Sequence, residues 1–221
     1  MPFVKLDDRL SRAAAMFPAC AYGADIGADH GRLSCFLLET GKCARMGITD
    51  ISAPSLQKAR DLITLKGLGD RADFCVGDGL SALSQPADAI AILGMGGNTV
   101  SNILLKGGGK LEGAVLVLSA QTEIPLLRRT LSALHYRIED EQIAFSANRY
   151  YVLLRAAPGD EELSDRQLFL GPRLMEKNAD SYEAYLAWRI ERTLQKRSEE
   201  GRGELSMLKE EEERVRYCKN H

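Results

Sequence analysis

At 221 residues and 45% hydrophobic content, the chain is sized for one full domain plus an appendage. Its net charge of −2 excludes the overall basicity that would by itself announce a nucleic-acid partner. No apolar run approaches the roughly 20 residues that span a bilayer, and Asp7, Asp8 and Arg9 stand where a signal peptide needs its apolar stretch. The expectation is therefore a soluble, cytoplasmic chain with no membrane partner. Five cysteines, an odd number with no C-x-x-C pair, read as reduced packing residues. His30, His135 and His221 are too scattered to build a metal site, and none is expected.

Residues 6–16 predict a short helix with Leu6, Leu10, Ala13 and Ala14 on one face. A strand ending at Ile26 follows, then a helix from His30 to Glu39. Cys43 to Asp50 predicts the second strand. Ser52 is the expected N-cap of the next helix, whose Pro54 falls in the first turn, where a missing donor costs nothing. That helix runs through Leu56, Ala59 and Ile63 to Gly67. Ala72–Val76 predicts a third strand, and Ala87–Leu93 a fourth that ends at Gly94-Met95-Gly96-Gly97. A helix from Asn98 to Leu105 is closed by Gly107-Gly108-Gly109, and Ala114–Leu118 predicts a fifth strand. After a helix over 124–134, segments 136–145 and 149–156 are strand-like. Ser146-Ala147-Asn148 between them is short enough for a hairpin turn.

Alternating β-α units imply a parallel sheet covered by helices on both faces. Pro158-Gly159-Asp160-Glu161-Glu162 reads as a linker, dividing the chain into residues 1–157 and 158–221. Beyond it, Tyr182, Leu186, Ile190 and Leu194 recur every four residues with Tyr185 beside them, predicting one long amphipathic helix. Glu200-Gly201-Arg202-Gly203 is expected to break it. A second helix then carries Leu205, Leu208 and Val215, giving an antiparallel helical hairpin. This tail holds 12 Lys and Arg against 15 Asp and Glu, so it is not a basic arm.

The chemistry concentrates at the carboxyl ends of the predicted strands, where a doubly wound sheet binds its ligand. Asp25 and Gly27 close the first strand, Asp50 and Ile51 the second, Gly77-Asp78-Gly79 follow the third and Gly94-Met95-Gly96-Gly97 the fourth. The tract Asp25-Ile26-Gly27-Ala28-Asp29-His30-Gly31 has the strand, tight turn and helix entry of a nucleotide site. Asp29 stands where a dinucleotide fingerprint needs its second glycine. A carboxylate repels a pyrophosphate but attracts a sulfonium or an amine, so the tract points to S-adenosylmethionine rather than a nicotinamide dinucleotide. Asp50 can accept both ribose hydroxyls, and Asp78 can accept from the adenine amine. Each residue alone has a plainer reading. Asp50 and Asp78 suit helix caps, Gly94–Gly97 suits a turn, and His30 suits a helix start. Four such signals at four successive strand ends are what those readings leave unexplained.

With these motifs, the chain resembles the TrmK family of bacterial tRNA (adenine(22)-N(1))-methyltransferases. The resemblance rests on Ala24–Leu33, Thr49-Asp50, Gly77–Leu80 and Gly94–Gly97. It returns in the tail at Gly171-Pro172-Arg173-Leu174 and Glu176-Lys177-Asn178. It implies a class I methyltransferase fold, a Rossmann-like sheet with parallel strands and a closing antiparallel hairpin, followed by a C-terminal coiled-coil hairpin. S-adenosyl-L-methionine is the implied cofactor, with Asp25, Gly27, His30, Asp50, Ile51, Gly77, Asp78, Gly79, Gly94 and Met95 as its site. Transfer RNA is the implied partner. Ala28 replaces the usual Ser or Thr, and Ser119-Ala120-Gln121-Thr122 replaces an expected Gln-Pro-Asn after strand five.

The adenine ring nitrogen on the Watson–Crick edge already carries a lone pair, so positioning and electrostatics suffice for methylation. Asp29 is the candidate carboxylate for the positive charge that develops on the ring. Gly96 and Gly97 would let the base approach. The Gly94–Gly97 segment lacks the Asn/Asp-Pro-Pro-aromatic clamp of amine-directed adenine methyltransferases, which favours ring-nitrogen chemistry. Lys5, Arg9, Arg12 and Arg32 are candidate phosphate contacts. Three other readings stay open at this point. They are a methyltransferase of the same fold with another acceptor, a non-catalytic module that keeps the cofactor site and, last, a dinucleotide oxidoreductase.

Overall fold

The computed structural model describes residues 2–177, 180–196 and 200–220. Helix α1 (Asp8–Met16) is capped by Asp7, whose carboxylate accepts the Leu10 N–H at 2.8 Å. Strand β1 (Cys20–Ile26) leads into α2 (Arg32–Glu39), β2 (Cys43–Asp50) and α3 (Ala53–Leu65), the last with Ser52 as N-cap and Pro54 in its first turn. β3 (Ala72–Val76), β4 (Ala89–Met95), α4 (Gly97–Leu105), β5 (Val115–Ala120) and α5 (Ile124–Ala133) continue the alternation. β6 (Tyr136–Ser146) and β7 (Arg149–Pro158) then close the sheet as a hairpin.

The seven strands lie in the order β3-β2-β1-β4-β5-β7-β6. β1 to β5 pair in parallel, while β7 lies antiparallel between β5 and β6. The central strands are buried on both faces, as parallel strands under helices must be: Ala89, Ile90, Ala91 and Ile92 are fully buried in β4. One buried ion pair ties α5 to the sheet, with Arg128 Nε 2.8 Å from Glu141 Oε1 on β6. The register of β1 on β2 sets Cys20 beside Cys43, their Sγ atoms 3.2 Å apart, a proximity that their spacing in sequence conceals.

Several expected boundaries move. His30 lies in the turn before α2 rather than inside the helix, because Gly31 is the N-cap at φ 64 and helical geometry begins at Arg32. Gly94 and Met95 belong to β4 rather than to a loop. The register against β5 shifts between Leu93 and Met95, and Gly94, at φ 81, supplies the backbone conformation that this bulge needs. β5 runs past Leu118 to Ala120. The hairpin turn is Ala147-Asn148, both residues at positive φ (49 and 57), as a two-residue turn of the right twist requires.

The chain divides into two units, Met1–Glu162 and Leu163–His221. The stretch expected to be a linker stays with the first. Glu161 accepts the Ile138 N–H at 2.9 Å, and Asp160 stands 2.7 Å from the His135 ring. The second unit opens with two short helices that the periodicity did not indicate, α6 (Asp165–Leu170) and α7 (Pro172–Lys177). α8 (Asp180–Lys196) and α9 (Glu200–Asn220) then pack along each other. The expected break at Glu200–Gly203 is instead the opening of α9, where glycine costs only about 1 kcal/mol. Tyr182, Tyr185, Leu186, Leu208 and Val215 are buried, whereas Leu194 is exposed and falls off the apolar stripe. Asn178 lies outside the described residues. Among the described residues, no helix is long and apolar enough to cross a membrane, and no cluster of three His, Cys, Asp or Glu side chains could hold a metal.

Candidate active site

The strand order reverses between β1 and β4, and a cleft of about 900 Å³ opens outside their carboxyl ends. Five aspartates line it: Asp7 at the start of α1, and Asp25, Asp29, Asp50 and Asp78 at the strand ends. Asp25 is buried at the end of β1 and accepts the Ser34 hydroxyl from α2 at 2.6 Å. Burial pushes its carboxyl up to about 6, against the pull of that hydrogen bond.

The loop after β1 is pinned to its neighbour. The N–H groups of Gly27 and Ala28 both donate to the Thr49 carbonyl, at 2.8 and 3.0 Å. Asp50 continues the clasp, accepting the Asp29 N–H at 3.0 Å on one oxygen and the Ser52 N–H at 2.8 Å on the other. Each oxygen keeps a lone pair, so the carboxylate can still accept a ligand's hydroxyls. Asp29 holds φ 50, a conformation that Asp tolerates better than most residues, and its carboxylate lies 2.6 Å from His30 Nδ1 at the cleft's exposed edge. Asp78 and Ile51 are exposed at the ends of β3 and β2, an acid and an apolar side chain bordering the same space.

The first unit matches the Methyltransferase domain family over residues 6–154. The chain is 32% identical over 185 residues to the tRNA (adenine(22)-N(1))-methyltransferase of Bacillus subtilis (strain 168), a match covering 80% of this chain and 78% of that protein. The chain belongs to the tRNA (adenine(22)-N(1))-methyltransferase family. Its fold is also that of the B. subtilis m1A22 tRNA methyltransferase TrmK in its crystal structure, at TM-score 0.80 and 26% identity, over 97% of this chain and 98% of the other. A Streptococcus pneumoniae structure in complex with S-adenosyl-L-methionine shares the fold at TM-score 0.87 and 23% identity, over 94% of this chain and 100% of that one.

Set in this TrmK frame, the residues expected from sequence divide. Asp25, Gly27, Asp29, His30, Asp50, Ile51, Gly77, Asp78, Gly79, Gly94, Met95 and Gly96 all line the cleft, as do Arg9 and Arg32. Gly97 does not. It is buried under the β5–α5 turn, donates to the Thr122 carbonyl at 2.9 Å, and has no room for a Cβ, which would stand 2.5 Å from the Thr122 and Glu123 carbonyl oxygens. Arg12 also lies off the cleft, one helical turn from Asp8 and paired with it at 3.0 Å. Lys5 is absent from the lining, although its carbonyl accepts from the Arg32 guanidinium.

Other lining residues went unread. Gln121 follows β5, where its Nε2 donates to the Gly94 carbonyl at 2.9 Å and its N–H to the Met95 carbonyl at 2.8 Å. Extending the strand-end rule one strand further would have found it. Leu10 of α1, Thr99 and Ile103 of α4, and Tyr151 of β7 complete the walls. Nothing local marks Tyr151, because its place depends on how the hairpin docks.

Proposed function

We propose that this chain transfers the methyl group of S-adenosyl-L-methionine to N1 of an adenine in tRNA, at position 22, and works in the cytoplasm. The observation that carries this reading is the acid-lined cleft at the switch point of a chain in this family. The donor set suits the cofactor: five aspartates (Asp7, Asp25, Asp29, Asp50 and Asp78) against two arginines (Arg9 and Arg32) line a space of about 900 Å³, an acid excess favourable to a sulfonium and an amine. Bound S-adenosyl-L-methionine supplies an electrophilic methyl group on a positively charged sulfur.

In this reading Asp50 accepts the ribose hydroxyls, Asp78 accepts from the adenine amine beside Ile51, and Asp25 presents negative charge toward the cofactor's cationic end. Gly27, Gly77 and Gly79 keep the floor open. His30 holds the Asp29 carboxylate at the edge that faces the incoming base, where it offsets the charge the ring acquires. Gly94, Met95 and Gly96 form the wall against which the base slides, and Arg9 and Arg32 meet phosphates. No general base is required, because the attacking nitrogen loses no proton.

Methyl transfer from labelled S-adenosyl-L-methionine to unmodified bulk tRNA, with nucleosides separated by mass spectrometry, tests the proposal. The expected product is 1-methyladenosine. Cofactor binding without transfer to any tRNA would overturn it.

A further inference from the structure

A base turned out of its stack is held by stacking on aromatic or apolar side chains, and the Gly94-Met95-Gly96 wall offers no ring. Apart from the His30 imidazole, Tyr151 is the aromatic ring among the described residues that line the cleft. It stands on β7 beside the end of β5, where the neighbouring Val152 carbonyl accepts the Ser119 hydroxyl at 2.9 Å. Gln121, the next cleft residue on the β5 side, lines the same wall.

The ring already lies near planar cations. The Arg9 guanidinium carbon is 5.4 Å from the Tyr151 centroid, and that of Arg149 is 5.9 Å away. Arg9 is held there by the mounting of α1 on the hairpin. Asp7 accepts the Ser146 hydroxyl at 3.0 Å and Asp8 accepts the Phe145 N–H at 2.8 Å. The same guanidinium also reaches the Gly94 wall, since a Cβ built on Gly94 would stand 3.2 Å from an Arg9 nitrogen.

Resting on the function proposed above, we infer that Tyr151 is the platform on which the target adenine stacks, displacing the Arg9 guanidinium from its ring. The charge logic is specific. As the N1 lone pair forms the new N–CH₃ bond, the S–CH₃ bond breaks and its electron pair stays on sulfur. Positive charge passes from the sulfonium to the adenine ring, and no proton moves. A π face attracts that ring more strongly as it becomes cationic, so Tyr151 stabilises the transition state beyond ordinary stacking. The phenol oxygen has no part in this, and phenylalanine should serve.

The test compares Tyr151→Ala, Tyr151→Leu and Tyr151→Phe in the full chain by single-turnover methyl transfer to tRNA, with S-adenosylhomocysteine affinity measured by calorimetry. A readout that needs no turnover is photocrosslinking of tRNA carrying 8-azidoadenosine at the methylated position. We expect the Ala and Leu variants to lose about tenfold or more in rate. The Phe variant should stay within threefold, S-adenosylhomocysteine affinity should hold within twofold, and the crosslink should fall in the β7 peptide containing Tyr151. Leu fills the site without an aromatic face, so it carries the test if the Ala variant fails to fold. A Leu variant with wild-type rate, a crosslink confined to other peptides, or a rate loss matched by lost S-adenosylhomocysteine affinity would each overturn the inference alone. A wild-type chain that makes no 1-methyladenosine would overturn the parent reading as well, and is recognised by that.

Discussion

Asp25 in the sheet unit and Glu211 in the helical unit are both buried acids, and the fold treats them in opposite ways. Among the described residues Asp25 is hydrogen-bonded by Ser34 alone, through its hydroxyl and its backbone N–H, and burial outweighs these and raises its carboxyl to about 6. Burial also pushes the Glu211 carboxyl upward, but Arg214 at 2.6 Å and Arg166 at 3.0 Å outweigh it and hold the group below its ordinary range. The Tyr182 hydroxyl adds a further donor to Glu211, at 3.3 Å. A structural carboxylate is thus satisfied by its own chain. Asp25, at the cleft, has no ion pair among the described residues, and a cationic ligand is the natural partner for its charge.

The largest expected effect comes from breaking the satisfied acid. Glu211→Ala takes the shared carboxylate from Arg166, Arg214 and the buried Tyr182 hydroxyl and should cost the helical unit about 3 kcal/mol, the low end for a broken buried pair because Arg166 keeps Glu210 and Arg214 keeps the Met175 carbonyl. Trp188, the chain's single tryptophan, lies on α8, so its fluorescence during urea unfolding reads that unit. An unchanged midpoint would remove the contrast.

Asp25→Asn should act in the opposite direction, stabilising the sheet unit by at most about 3 kcal/mol at pH 7 while weakening cofactor binding. The folded chain holds the Asp25 proton more tightly than the unfolded chain does. Its contribution to stability therefore falls as pH rises from about 4 to about 6, and above that window the charged carboxylate exerts its full penalty. Urea unfolding followed by circular dichroism at pH 4.5 and pH 7 should show that slope in the wild type and a flatter one in the variant. Glu211 should show the reverse dependence, losing its contribution as pH falls through the acid range.

Asp29→Lys sharpens the comparison at the exposed rim. Turnover should drop about a hundredfold while S-adenosylhomocysteine affinity changes far less, because the role proposed for Asp29 is toward the base rather than the cofactor. Equal losses in both would reassign Asp29 to cofactor binding. The smallest effect lies away from both acids. Ala147→Gly relieves a left-handed alanine in the β6–β7 turn and should add about 1 kcal/mol, seen as a raised melting temperature without change in activity.

Most of the cleft was legible because its residues follow strands whose ends are marked locally. An apolar run closing on Asp25, Asp50 or Gly77-Asp78-Gly79 carries its own address once the alternation of strand and helix is recognised, and parallel order brings those ends together. The limits of Gly94 and Gly97 were less legible. A glycine string reads alike whether it bulges a strand, as Gly94 does, or admits a neighbouring backbone, as Gly97 does.

By itself, then, the amino-acid order determined the β-α alternation, the acids at three strand ends and the amphipathic stripes of the tail, since each depends on periodicity and turn chemistry within a short window. Tertiary structure alone decided which arginine reaches the cleft. Arg9 lies over Tyr151 while Arg12, one turn away on the same helix, is spent on Asp8. It also decided that Cys20 meets Cys43 and that Tyr151 joins the wall beside Gln121. The reason is physical: strand register and helix docking are set by burial summed over the whole sheet, and no short window of sequence contains that sum.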